Sequence, residues 1–134
     1  VKLEYRPVVR AGITWGYHTD IVVTDQYGFT TTMEGTHDHA TGNLGVQNDP
    51  GDIHDKQWGK TLTSQMVSDL CDRINDMFSA EMNYSNNEVK YFALGPNSNS
   101  LAHWLLQAGF ISQYFTAPPG TTGWNTPVYG NLFP

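Results

Sequence analysis

Apolar and polar positions change their period several times along this chain, and each change predicts an element. β-Branched and aromatic residues fill Ile13 to Asp25 (ITWGYHTDIVVTD) and return from Phe29 to Gly35 (FTTTMEG), with Gln26-Tyr27-Gly28 between them. Two such runs around a glycine-bearing break read as an antiparallel hairpin. Residues 1–10 (VKLEYRPVVR) read as a further strand, and Pro7, which has no N–H to give a ladder, favours an edge. Between 61 and 82 the period lengthens. Met66, Val67, Leu70, Ile74, Met77 and Phe78 recur at helical spacing, and Thr61, Thr63 or Ser64 can cap the start. A second helix is predicted from Ser98 through SNSLAHWLLQA, apolar at Leu101, Trp104, Leu105 and Ala108 and stopped by Gly109. EVKYFAL (88–94) reads as a short strand, and Gly95-Pro96-Asn97 breaks the chain after it.

Elsewhere the pattern loses its period. Residues 35–60 read as one long loop, of the kind that carries function or covers a cleft. The tail after Gly109, rich in Pro, Gly and aromatics, is expected to wrap the surface without regular structure and to bury Trp124 and Tyr129. Together these elements predict an α+β fold in which a small antiparallel sheet packs against two main helices. The 134 residues fit a single domain, 1–134, with room for a real core. Because the chain opens on Val1 rather than Met, it is expected to be a piece of a longer protein.

Composition narrows the chemistry. Aromatic residues at 13% argue against disorder, although charged residues reach only 15%. A net charge of −6 with seven Lys and Arg leaves no basic stripe for phosphates, so nucleic acid is not an expected partner. No apolar run approaches the roughly 20 residues that span a bilayer, so no membrane span is expected. The single cysteine, Cys71, excludes an internal disulfide framework and is expected to be a small buried hydrophobe beside Leu70 and Ile74.

Three positions combine reactive side chains with a reason for being where they are. Ser98 opens an apolar helix behind Asn97, a good N-cap, so it would face the free N–H groups and positive end of that helix. Backbone N–H groups at 98 and 99, with Asn97 and Asn99 at the cap, are the expected oxyanion donors. His18 lies in the first hairpin arm. A turn centred near residues 26–27 puts it roughly opposite Glu34 and Gly35, and a carboxylate there would orient the imidazole and raise its basicity. A slip of one residue would send the two side chains to opposite faces. A rival cluster, His37, Asp38, His39, Asp49, Asp52, His54 and Asp55, holds possible Zn²⁺ ligands, but its spacing matches no recognised site and it reads better as a solvated acidic loop. No metal or cofactor is therefore expected. His103 reads as a surface residue and its neighbour Trp104 as core.

A strand histidine, an acid on the partner strand and a nucleophile opening a late helix resemble the NlpC/P60 and papain-like superfamily. The order resembles its circularly permuted, lecithin-retinol-acyltransferase-like branches. Those branches show Asn-Cys-Asn before an apolar helix, where this chain reads Asn97-Ser98-Asn99-Ser100-Leu101. GPNSNS, with the later APPG and GWNTP, also resembles C-terminal domains of bacterial polymorphic, Rhs-type and type VI secreted toxins. The likeness covers segments 13–35 and 90–127. It implies hydrolysis or acyl transfer at an amide of a protein, a peptidoglycan stem or a side chain, by an effector delivered into a target cell and met there by an immunity protein. Serine at the cysteine position leaves three readings open: a replaced cysteine, a natural Ser98–His18–Glu34 enzyme, or a binding module that kept only the fold.

Overall fold

The computed structural model describes residues 1–10, 12–51, 62–84 and 89–128. Five strands, β1 (Lys2–Arg10), β2 (Ile13–Thr24), β3 (Thr30–Asp38), β4 (Asn43–Pro50) and β5 (Leu62–Met66), form one antiparallel sheet in the order β4-β3-β2-β1-β5. Two helices, α1 (Cys71–Met82) and α2 (Ser98–Ala108), follow, and α2 packs against β2, β3 and α1. A 3₁₀ turn, Ser112–Tyr114, comes after α2. The α+β expectation of a small antiparallel sheet with two helices is met.

The predicted hairpin forms because Asp25 organises its turn. Its Oδ1 accepts the N–H of Tyr27 at 2.8 Å and of Phe29 at 3.0 Å, while Gly28 takes φ 85°, a left-handed backbone that glycine adopts at little cost. Across the sheet, Leu3, Ile21 and Met33 stand directly opposite one another and are fully buried. They share a core with Leu44, Ile74, Met77, Leu101, Leu105 and Leu106. Each such side chain contributes about 1.5–3 kcal/mol by leaving water. One residue along each strand, Glu4, Asp20 and Glu34 form a second row in the same register, and it is buried as well.

Several expectations are corrected. Residues 35–60 are not one loop: β3 runs on to Asp38 and returns as β4. The Asp38 carboxylate holds that turn, accepting from Thr41 Oγ1 and the Ala40 N–H at 2.8 Å each. Those bonds, the Thr41 hydroxyl first, pull the carboxylate below its usual range. The first helix does not start at Thr63 or Ser64. Leu62–Met66 instead satisfies the open edge of β1 as β5, and α1 begins only after Asp69 turns the chain at φ 62°. Met66 and Cys71 are accordingly exposed, not on an apolar stripe. β1 lies inside the sheet rather than at its edge, between β2 and β5; among the described residues its ladder with β5 pairs Lys2 to Tyr5. Residues 88–94 form no strand among the described positions; Lys90 makes an isolated bridge to Asn43. Trp104 and Trp124 are buried as expected, whereas Tyr129, Thr61 and residues 85–88 of the expected turn and strand lie outside the described residues.

Candidate active site

Asn97 is the foundation of the site. As N-cap of α2, its Oδ1 accepts the N–H of Asn99 at 2.9 Å and of Ser100 at 3.2 Å, while Ser100 Oγ accepts the Asn97 N–H at 3.1 Å. This reciprocal cap is worth about 1 kcal/mol and fixes where the first helical residue, Ser98, points. The asparagine amides then tie the helix start to the rest of the fold. Asn97 Nδ2 donates to the carbonyls of Ala93 at 3.0 Å and Thr122 at 3.1 Å. Asn99 Nδ2 donates to those of Tyr17 and Thr122, each at 2.9 Å, so α2 is fastened to the residue just before His18. Ser100 Oγ donates to the carbonyl of Gly123.

The opposite wall comes from the sheet. The β2–β3 ladder ends at the pair Asp20↔Glu34, and His18 lies two residues further along β2. There α2 meets β3 at Gly35: a Cβ on that residue would lie 2.6 Å from Ser98 Cα and 3.3 Å from Leu101 Cβ. Only glycine permits this approach, and the approach puts the hydroxyl beside the imidazole.

The three predicted residues meet. His18 Nδ1 lies 2.8 Å from Ser98 Oγ, and His18 Nε2 lies 3.0 Å from Glu34 Oε2. All three are buried, at 4% exposure for Ser98 and 8% each for His18 and Glu34. With the ring neutral, the carboxylate can only accept, so Nε2 carries the proton and donates to Glu34. Nδ1 is then the acceptor for the serine hydroxyl. The ring nitrogens are used in the opposite sense to the Ser-His-Asp template, where Nε2 faces the serine. An oriented imidazole of this kind can take a proton from Oγ as Oγ attacks a carbonyl.

The oxyanion expectation is corrected in part. The Asn99 N–H is committed to Asn97 Oδ1, and Asn99 Nδ2 to two carbonyls, so neither is available to a substrate. Among the described residues no acceptor takes the Ser98 N–H, which stays available at the positive end of α2.

Arg6 completes the surroundings. It is the ladder partner of His18 on β1 and is half-buried. Burial draws its guanidinium below the ordinary value, while the charges of Glu34 and Asp20 and the phenol of Tyr91 push back. Sequence reasoning missed Arg6, Gly35 and the Thr122 carbonyl. A glycine inside a strand pattern directly after the candidate acid was the available sign of close backbone approach.

The other candidates lie elsewhere or do other work. His37 stacks on Tyr91 with ring centroids 4.7 Å apart, and His39 is 4.5 Å from His37. Asp49 accepts from Gln47. Among the described residues no three His, Cys, Asp or Glu side chains converge as metal ligands would, and Asp52, His54 and Asp55 lie outside them. His103 is not a surface residue. It is half-buried, stacks on Trp124 at 4.8 Å, and its Nδ1–H donates to the Trp124 carbonyl at 2.9 Å. No helix among the described residues is long and apolar enough to cross a membrane. Compared with protein-family models, curated proteins and solved structures, the chain gives no significant match to any of them.

Proposed function

We propose that this domain is a serine-nucleophile hydrolase or acyl transferase acting on amide bonds, with Ser98 as nucleophile, His18 as general base and acid, and Glu34 as the orienting carboxylate. The observation that carries the reading is the buried imidazole of His18, hydrogen-bonded at once to Ser98 Oγ and to Glu34. In the first step Ser98 Oγ forms a bond to the substrate carbonyl carbon and its proton passes to His18 Nδ1. The imidazolium is held by Glu34 through Nε2–H, and the Ser98 N–H and the α2 N-terminus face the developing oxyanion. Collapse of the tetrahedral adduct breaks the C–N bond, and His18 returns its proton to the leaving amine. Water, or an acceptor amine or alcohol, then releases the acyl group with His18 again as base.

A hydroxyl is far less acidic than a thiol, so a helix N-terminus alone would not activate it; the 2.8 Å contact with Nδ1 supplies the direct base that serine requires. The substrate class follows from the resemblance of GPNSNS, APPG and GWNTP to secreted bacterial toxin domains: a protein or peptidoglycan-stem amide, with the domain delivered into a target cell and a cognate immunity protein as partner. The permuted papain-like relationship belongs to the same proposal. The test needs no knowledge of the substrate. A fluorophosphonate should form one covalent adduct at Ser98, read by intact and peptide mass spectrometry, and His18→Ala and Ser98→Ala should abolish it. Unchanged labelling of His18→Ala, or no adduct on the unaltered protein, would refute the triad.

A further inference from the structure

Two asparagines flank Ser98, and they do different work. Asn97 caps α2 from within, whereas Asn99, buried at 2% exposure, reaches out of the helix. Its Nδ2 donates to the carbonyl of Tyr17 on β2 and to that of Thr122, each at 2.9 Å. Both acceptors are carbonyl oxygens, so the network settles which end of the side-chain amide carries the protons. A hydroxyl has one proton to give and a carboxylate none, so among short polar side chains asparagine alone serves the two at once.

The bond to Tyr17 runs beside the chemistry. Ser98 and Asn99 are consecutive on α2, and Tyr17 and His18 are consecutive on β2. Two contacts therefore join the same two elements one residue apart: Ser98 Oγ to His18 Nδ1 at 2.8 Å, and Asn99 Nδ2 to the Tyr17 carbonyl at 2.9 Å. Pro7 stands opposite Tyr17 on β1 and has no N–H to offer that carbonyl, and the β2–β3 ladder ends at Asp20. The donor comes from α2 instead.

The bond to Thr122 brings in a third segment. Its carbonyl accepts from Nδ2 of both Asn97 and Asn99, the next carbonyl, Gly123, accepts from Ser100 Oγ, and the next, Trp124, from His103 Nδ1–H. Residues 122–124 thus lie clasped along α2 by successive carbonyls. The same segment is pressed against β2 and the cap: a Cβ on Gly120 would lie 2.6 Å from Tyr17 Cδ2, and one on Gly123 2.7 Å from Asn97 Nδ2. We infer that Asn99 is a positioning residue of the site. By dividing one amide between β2 and the 122–124 clasp, it sets how far Ser98 Oγ stands from His18 Nδ1. Without that amide α2 keeps its Asn97 cap and its helical shape, but the direct polar tie between its first turn and the strand of His18 is gone. A shift of about 1 Å then carries the contact with Nδ1 beyond useful hydrogen-bond length.

The inference rests on the triad reading, and its test reads geometry apart from reactivity. ¹⁵N NMR of the His18 ring, taken with the ring neutral, reports whether the Nδ1 lone pair is engaged by the Ser98 hydroxyl, and Ser98→Ala supplies the signal of the unengaged ring. Asn99→Ala, and Asn99→Asp, which keeps the shape and loses both donors, should move the Nδ1 signal from the unaltered value to that of Ser98→Ala. Fluorophosphonate labelling should slow on the order of 10²-fold in both, as a misplacement of about 1 Å predicts. A merely structural role would lower Tm and leave the Nδ1 signal in place, as Ile74→Ala in α1 should do. An unmoved Nδ1 signal in folded Asn99→Ala overturns the inference, whatever the labelling rate. Should neither variant fold, Asn99→Ser decides on the same signal: serine is accepted in the first turn of a helix, and its single, shorter donor cannot serve both carbonyls. If the unaltered protein is not labelled at all, the proposed chemistry falls while the Nδ1 signal still judges Asn99. If the unaltered protein and Ser98→Ala give the same Nδ1 signal, the contact itself is absent and both readings fall.

Discussion

Placing a methyl group on Gly35 tests whether the site depends on how closely α2 approaches the sheet. In Gly35→Ala the new Cβ would lie 2.6 Å from Ser98 Cα, 3.1 Å from Ser98 Cβ and 3.3 Å from Leu101 Cβ. Carbon atoms rest about 3.5–4.0 Å apart, so β3 and the first turn of α2 must part by about 1 Å. Neither side yields freely. His18 is held by the ladder to Arg6 and by Glu34, and α2 is held by the Asn99 bonds to Tyr17 and Thr122. The separation therefore falls on the 2.8 Å contact between Ser98 Oγ and His18 Nδ1, stretching it past useful hydrogen-bond length. A misplacement of about 1 Å costs on the order of 10²-fold in rate. Overpacking at such a site costs about 1–3 kcal/mol, a fall in Tm of about 3–10 °C for a chain of this size. Pseudo-first-order fluorophosphonate labelling at 20 °C, read beside a thermal melt, measures both effects. Ile74→Ala, in α1 and away from the triad, serves as control: it should lose about 2–5 kcal/mol while labelling at close to the normal rate. A folded Gly35→Ala protein that labels as fast as the unaltered one would falsify the claim that this approach sets the nucleophile.

Other consequences can be checked with the same assays. Glu34→Gln keeps the shape but removes the charge facing Nε2, so labelling should drop about 10²–10⁴-fold with little change in Tm; a loss under tenfold would assign orientation to another group. Asn97→Ala removes the cap of α2 and its links to Ala93 and Thr122, and should lower stability by about 1–2 kcal/mol in urea melts while slowing labelling; an unchanged urea midpoint would contradict the capping role. His103 carries a pH signature unrelated to catalysis. Burial lowers its folded pKa below the ordinary 6.5, against the bond to the Trp124 carbonyl. The unfolded chain then binds the extra proton first, so stability from neutral His103 is present above about pH 6.5 and is lost as pH falls below it toward the folded value. Urea midpoints of the unaltered protein should decline from pH 7 to pH 5 more steeply than those of His103→Phe, which keeps the stack without the proton; parallel slopes would rule His103 out as the cause.

The meeting of Ser98, His18 and Glu34 was legible in the sequence because each position followed from a local rule. Gly95-Pro96-Asn97 before an apolar run leaves one place for a helix to begin, and α2 does begin at Ser98. The hairpin turn fixed which side of the strand His18 shares with Glu34. The register differs slightly: His18 was expected roughly opposite Glu34 and Gly35, whereas Glu34 pairs with Asp20, two residues further along β2. An even slip keeps both side chains on one face, so the contact survived the error, as it would not have survived a slip of one. Leu62–Met66 failed for the opposite reason. Five residues with apolar ends suit a helix turn or a strand equally, and the choice was made by the open edge of β1, which no local pattern reports. The same limit hid Arg6 and the carbonyl of Thr122, both of which matter only through residues distant in the chain. What local pattern could supply was the proposed nucleophile, base and acid; the approach distance at Gly35 and the place of Arg6 across from His18 come from the packing of the strands and α2. Substitution at Gly35 thus tests the assembled structure, whereas those at Ser98, His18 and Glu34 test the chemistry proposed for it.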